Sequence, residues 1–146
     1  MNPQNHFLAP SPGDAPGAFP ATLAQHGLAL HRGHTEILQV NTGKLCNLTC
    51  THCHVNAGPA RKEIITRGTL DRILDWLERT NIPTVDLTGG APEMIPDFRY
   101  LIERLDSMRP RRHAIDRCNL TILLAPGFEG LAEFLAEHRV EIIASM

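Results

Sequence analysis

From Glu36 onward the chain switches repeatedly between short apolar runs and helical periodicity. Ile37, Leu38 and Val40 form an apolar run that predicts a buried strand. Leu70, Ile73, Leu74 and Leu77 then recur at helical spacing, with Asp71, Asp75, Glu78 and Arg79 on the other faces and Asn81 and Pro83 as stop signals. Val85 and Leu87 predict a second strand that ends at Gly89-Gly90. Pro96 suits a first helical position, and Phe98, Leu101, Ile102 and Leu105 carry a second helix to about Met108. The apolar run from Asn119 to Leu124 predicts a third strand, Phe128, Leu131 and Leu135 a third helix, and Val140 to Met146 a fourth strand. Strand and helix in strict alternation predict right-handed crossovers and an α/β fold with a parallel sheet.

Before this region, Pro3, Pro10, Pro12, Pro16 and Pro20 with Gly13 and Gly17 show no sustained apolar period, which predicts a loose, flexible leader over residues 1–30. The domain then runs over 31–146 and breaks off in an apolar strand, so the expectation is a core truncated after its fourth strand, whose open edge needs covering.

The 146 residues allow one domain with a core. With 14 Lys+Arg against 16 Asp+Glu the charge is nearly balanced, which excludes an extended nucleic-acid tract. The basic run Arg109-Pro-Arg-Arg-His113 reads as a solvated loop. No segment has the apolar length of a membrane span or the core of a secretory signal, so no membrane partner is expected and a reducing cytoplasm is the default location. There, the four cysteines read as metal ligands, catalytic groups or core residues rather than disulfides.

Three of them, Cys46, Cys50 and Cys53, stand within eight residues directly after the first predicted strand. Ligand-bearing loops in parallel α/β sheets lie at the carboxyl ends of strands, so placement and chemistry agree. Three thiolates suit a 4Fe-4S cluster with one iron left open, whereas electron carriers normally supply four. The rival is tetrahedral zinc, with His52 or His54 as a further ligand, but no second ligand pair of the kind structural zinc sites use follows. One βα unit later, Thr88-Gly89-Gly90-Ala91-Pro92-Glu93 offers two glycines for close backbone approach and a carboxylate that can accept hydrogen bonds from an ammonium group.

The CxxxCxxC loop and the diglycine resemble the radical S-adenosylmethionine (radical SAM) superfamily. The resemblance implies a partial βα barrel, of which this chain holds the amino-terminal part with about four strands. It implies that Cys46, Cys50 and Cys53 ligate a 4Fe-4S cluster and that S-adenosylmethionine chelates the open iron and is cleaved to a 5'-deoxyadenosyl radical. His52, before the third cysteine, takes the place of the residue that packs beside the adenine. Gly89, Gly90 and Glu93 correspond to the motif that holds the methionine amino group, with the departure that Ala91 stands where the superfamily has its Glu and Glu93 follows Pro92.

Within that superfamily, Leu38-Gln-Val-Asn41, Gly43-Lys-Leu-Cys46-Asn, Cys53-His-Val-Asn-Ala-Gly-Pro59, Gly89-Gly-Ala-Pro-Glu93 and Arg117-Cys-Asn-Leu-Thr121 resemble the arsenosugar biosynthesis radical SAM family. This implies adenosylation of a methylated trivalent arsenical, with an external electron donor such as a ferredoxin or flavodoxin. Alternative readings are a radical SAM enzyme acting on a peptide or another small metabolite, and a zinc-binding module. Cys118 reads as a buried core cysteine or as a thiol facing the barrel interior and the arsenical. Lys44, Arg61 and Glu63 flank the cysteine loop, either touching the methionine carboxylate or ordering the loop through an ion pair.

Overall fold

The computed structural model describes residues 18–144, in two compact units divided after His34. In the first, helix α1 spans Ala18–Gln25, inside the stretch read as leader. The second holds strands β1 (Ile37–Asn41), β2 (Thr84–Thr88), β3 (His113–Asp116) and β4 (Glu141–Ile142). Between them come α2 (Arg67–Glu78), α3 (Phe98–Ser107) and α4 (Leu131–Glu137), with 3₁₀ turns at Pro92–Met94 and Thr121–Leu124. All neighbouring strands are parallel and lie in chain order β1-β2-β3-β4, as the alternating pattern predicts.

Registry assigns the two faces of this sheet. Leu38 pairs with Val85 and Val40 with Leu87, and these side chains join Ala114 against the helices. Helix α2 contributes Leu70, Leu74 and Leu77, α3 contributes Phe98, Leu101, Ile102 and Leu105, and α4 contributes Leu131, Phe134 and Leu135. Thr66 starts α2 as its N-cap, its hydroxyl accepting from the Thr69 N–H at 3.3 Å. The opposite face carries Gln39 paired with Asp86 and Asn41 paired with Thr88, a polar surface that a closed apolar core would not tolerate. Among the described residues, no helix is long and apolar enough to cross a membrane.

The third strand lies elsewhere than predicted. Residues 119–124 form no strand: Leu120 is left-handed at φ 62°, Thr121–Leu124 turns as 3₁₀, and Leu124 is 91% exposed. The Asn119 carboxamide accepts from the Ile122 N–H at 3.1 Å, which satisfies a backbone donor that a strand would give to its neighbour. The strand is instead His113–Asp116, whose buried Asp116 hides it from an apolar pattern. Helix α3 likewise begins at Phe98, two residues after Pro96. Of the predicted fourth strand Glu141–Ile142 is formed, Ile143 adds hydrogen bonds with Asp116 and Cys118, and residues 145–146 lie outside the described residues.

Nor is the basic run a solvated loop. Arg112 is buried, and its guanidinium donates to the carbonyls of Leu77 at 3.1 Å and Thr80 at 2.7 Å, closing the C-terminal end of α2. Arg111 binds Asp106 and the His138 carbonyl, and Arg109 donates to the carbonyls of Ser107 and Met108, both at 2.9 Å. Replacing Arg112 by Met keeps the stem and removes the charge-assisted bonds. We expect Arg112→Met to lower unfolding free energy by about 1.5–3 kcal/mol, measured by urea denaturation, and a loss indistinguishable from zero refutes the capping role.

Candidate active site

The cysteine loop leaves β1 and returns along its own outgoing leg. The Lys44 N–H donates to the Glu63 carbonyl at 2.7 Å, Gly58 to Lys44 at 3.0 Å, and Ile65 to Thr42 at 2.9 Å. A third segment joins from the end of β2, where Gly90 donates to the Gly43 carbonyl at 2.9 Å and Ala91 to the Leu45 carbonyl at 2.8 Å. The diglycine permits this approach. A Cβ on Gly90 would stand 2.0 Å from the Leu45 carbonyl oxygen, and one on Gly89, where φ is +130°, would stand 2.6 Å from that of Gly43.

This contact aims the loop over the polar face of the sheet. An open groove of about 790 Å³ results, lined by Cys46, Cys50, His52 and Cys53 on one side and by Gln39, Asn41, Thr88, Gly89, Gly90 and Arg117 on the other. Cys46 is buried, Cys53 is half-buried and Cys50 is exposed. The Cys53 sulfur accepts from the Ala57 N–H at 3.3 Å, and backbone donors from Ala57, Val55 and Asn56 together hold its thiol below its ordinary pKa. The Cys46 sulfur accepts from the Leu48 N–H at 3.5 Å and from the Asn119 amide at 3.8 Å.

The spacing of the thiols bears on what they can hold. Thiolates around one zinc ion lie about 3.8 Å apart. Among the described residues, the three thiols are not within 4.8 Å of one another, a condition that only Glu93, Asp116 and Cys118 meet. Three thiols on one loop, spaced more widely than a single ion requires, fit a multi-iron cluster better than a single ion.

Two features here were not legible in the sequence. Asp86, buried on the polar face, accepts from Arg117 Nε at 2.9 Å and Nη2 at 2.8 Å, and from Gln39 at 3.0 Å. The Arg117 hydrogen bonds, and then Gln39, keep the Asp86 carboxyl below the usual range despite its burial. Second, Asn119 donates to the Asn47 side chain at 2.7 Å while Asn47 donates to the Thr121 hydroxyl at 2.8 Å, tying the loop to the segment after β3. Lys44, Arg61 and Glu63 stand outside the groove lining, and Arg61 pairs with Glu63, the ion-pair reading that the sequence offered; the Glu63 carboxyl falls to about 2 mainly through that bond.

Glu93 departs from the sequence reading, and Cys118 takes the first of its two readings. After Pro92 the chain makes a 3₁₀ turn that carries Glu93 into the protein, where it is 5% exposed, and its carboxylate is not part of the groove lining. Cys118 is fully buried in the helix-packed core rather than facing the barrel interior, because it continues the alternation that buries Ala114 and Asp116. Glu93, Asp116 and Cys118 meet there. Burial first, and Glu93 second, push Asp116 up to about 8 and raise the Cys118 thiol.

A contrasting pair of substitutions tests the diglycine contact. Gly90→Ala must displace backbone, and we expect it to cost about 1–3 kcal/mol or more and to speed hydrogen exchange at the Lys44 and Cys46 amides. Gly68→Ala on α2 meets nothing within 4 Å, and we expect a gain of about 0.4–1 kcal/mol. Equal effects would show that the contact does not anchor the loop.

A model of the radical SAM superfamily matches residues 40–144. A probable GTP 3',8-cyclase of Pyrococcus horikoshii is 34% identical over 68 residues, which is 47% of this chain and 22% of that protein. Mycofactocin maturase MftC of Mycobacterium tuberculosis is 41% identical over 59 residues, 40% of this chain and 15% of its own length. A GTP 3',8-cyclase of Streptomyces coelicolor is 31% identical over 78 residues, 51% of this chain and 23% of the relative. The chain thus spans less than a quarter of these curated relatives. The family match over the sheet, the cysteine loop and the diglycine shows that this chain belongs to the radical SAM superfamily.

Proposed function

We propose that this chain is the cluster-bearing part of a radical SAM enzyme, with Cys46, Cys50 and Cys53 as ligands of a 4Fe-4S cluster and Gly89 and Gly90 as the backbone platform for S-adenosylmethionine. One observation carries the reading: the three thiols and the diglycine open onto one groove, at the carboxyl ends of adjacent parallel strands. When bound, the cluster and S-adenosylmethionine would supply reductive cleavage of a sulfonium to a 5'-deoxyadenosyl radical. The protein's own share is to hold the ligands and shape the groove. Backbone N–H groups around Cys53 favour its thiolate, and Asn47 and Asn119 hold the loop to the segment after β3. Asp86 fixes the Arg117 guanidinium at the groove wall. His52, exposed and lining the groove, is assigned to flank the adenine. The burial of Glu93 supports leaving the methionine amino group to the glycine backbone.

For the substrate, the motif strings favour a methylated trivalent arsenical that receives the adenosyl group, with a ferredoxin or flavodoxin as the external electron donor. The relatives' names, a mycofactocin maturase and a GTP 3',8-cyclase, favour a second reading, a peptide or another small metabolite. Neither needs Cys118, which is sealed in the core.

Anaerobic reconstitution with iron and sulfide, followed by reduction, should give a 4Fe-4S electron paramagnetic resonance signal that changes on adding S-adenosylmethionine. Cys50→Ala should abolish the change and most of the bound iron. Bound zinc without iron or sulfide would overturn the assignment, and a cluster signal indifferent to S-adenosylmethionine would remove the cofactor from the groove.

A further inference from the structure

Behind the sheet, Glu93, Asp116 and Cys118 form a constellation that the radical chemistry does not use. Glu93 comes from the 3₁₀ turn after the diglycine, Asp116 ends β3, and Cys118 follows two residues later. All three are buried, at 5%, 0% and 0% exposure, and their ligand atoms lie within 4.8 Å of one another. Among the described residues no group outside the cluster donates a hydrogen bond to any of the four carboxylate oxygens, and Glu93 lies close enough to Asp116 and to Cys118 to share a proton with them. Leaving such groups dry and unpaired costs several kcal/mol each, of order 1–3 even by the lower estimates. We propose that Glu93, Asp116 and Cys118 bind one divalent cation of the zinc or ferrous class, as a structural site separate from the cysteine loop.

Counting acceptors favours a cation over a shared proton. One proton between the carboxylates engages two of the four oxygens, and the thiol hydrogen engages at most one more. A cation takes one oxygen of each carboxylate and the sulfur, three of the four ligands a tetrahedral ion holds, and its charge compensates the two remaining oxygens. Two carboxylates and one thiolate form a borderline donor set, suited to zinc or ferrous iron and poorly suited to magnesium or calcium, which take oxygen ligands. Donors around such an ion stand about 3.2–3.9 Å apart given bonds of 2.0–2.3 Å, so the side chains need close only slightly from their present spacing. Binding converts the thiol to a thiolate and the Asp116 carboxyl to a carboxylate, and both protons leave to solvent.

The consequence concerns the groove on the other face. Glu93 lies three residues after Gly90, and Asp116 and Cys118 flank Arg117, so a bound ion would pin from behind the groove wall that carries Gly90 and Arg117.

The test separates this site from the loop. The triple variant Cys46→Ala/Cys50→Ala/Cys53→Ala leaves Cys118 as the last cysteine and cannot hold the cluster. It should be expressed in zinc-supplemented and cobalt-supplemented media, so that the ion enters as the chain folds. We expect one zinc per chain, and a sulfur-to-cobalt charge-transfer band in the cobalt protein. Adding Cys118→Ala should remove that band, and adding Glu93→Gln should reduce zinc to a small fraction of one. If the triple variant fails to fold by circular dichroism, the cluster-loaded parent chain should carry one zinc or one extra iron beyond the cluster, lost in Glu93→Gln. A folded, metal-free chain in either background overturns the site, as does a protonated-carboxyl infrared stretch that persists in the zinc-grown protein and vanishes in Asp116→Asn. Because the triple variant has no cluster, failure here leaves the cluster assignment untouched, and the reverse holds.

Discussion

Everything at this site depends on one close backbone contact, the packing of Gly89-Gly90 against Gly43–Leu45. Two N–H groups after β2 donate to two carbonyls after β1, so the ends of the two strands become one surface. Any side chain at Gly90 would push that surface apart, because its first carbon falls on a carbonyl oxygen rather than on a movable side chain. With the Asn47–Asn119 hydrogen bond as a second tie, this contact fixes where the cysteine loop stands. Held there, it presents its sulfurs beside the polar face of the sheet.

That sheet separates two chemistries by its pleat alone. Toward the helices, Val85, Leu87 and Ala114 build the core. Toward the groove, Gln39, Asp86 and Arg117 form a bonded set in which a buried carboxylate holds a half-exposed guanidinium. Such a pair contributes little to stability when one partner is partly solvated, and its effect is to fix where the guanidinium stands. Asp116 inverts the rule, since its register with Leu87 puts a carboxylate on the apolar side. A carboxylate in that position costs stability unless something compensates it, and Glu93 and Cys118 converge on the same spot.

The element order was legible because buried parallel strands and amphipathic helices leave different periods in the chain. The cysteine loop was legible because three thiols in eight residues have few other uses. Residues 113–124 were not. Apolar content suggested a strand at Asn119–Leu124, but local hydrogen bonding by Asn119 turned those residues into a 3₁₀ turn, while the true strand carries Asp116. The arginines at 109–112 misled for a related reason. Charge predicts exposure, yet carbonyls at helix ends can hold a guanidinium inside, as Leu77 and Thr80 hold Arg112.

Local patterns thus determined the α/β alternation, the parallel sheet and the loop that carries the candidate ligands, because each is set by neighbours within a few residues. Only the tertiary structure decided which way Glu93 and Cys118 face, which arginine lines the groove, and what the diglycine touches. Those outcomes depend on strand register and on contacts between residues dozens of positions apart, such as Asn119 with Asn47 and Arg117 with Asp86. A single chain read in order carries no mark of them.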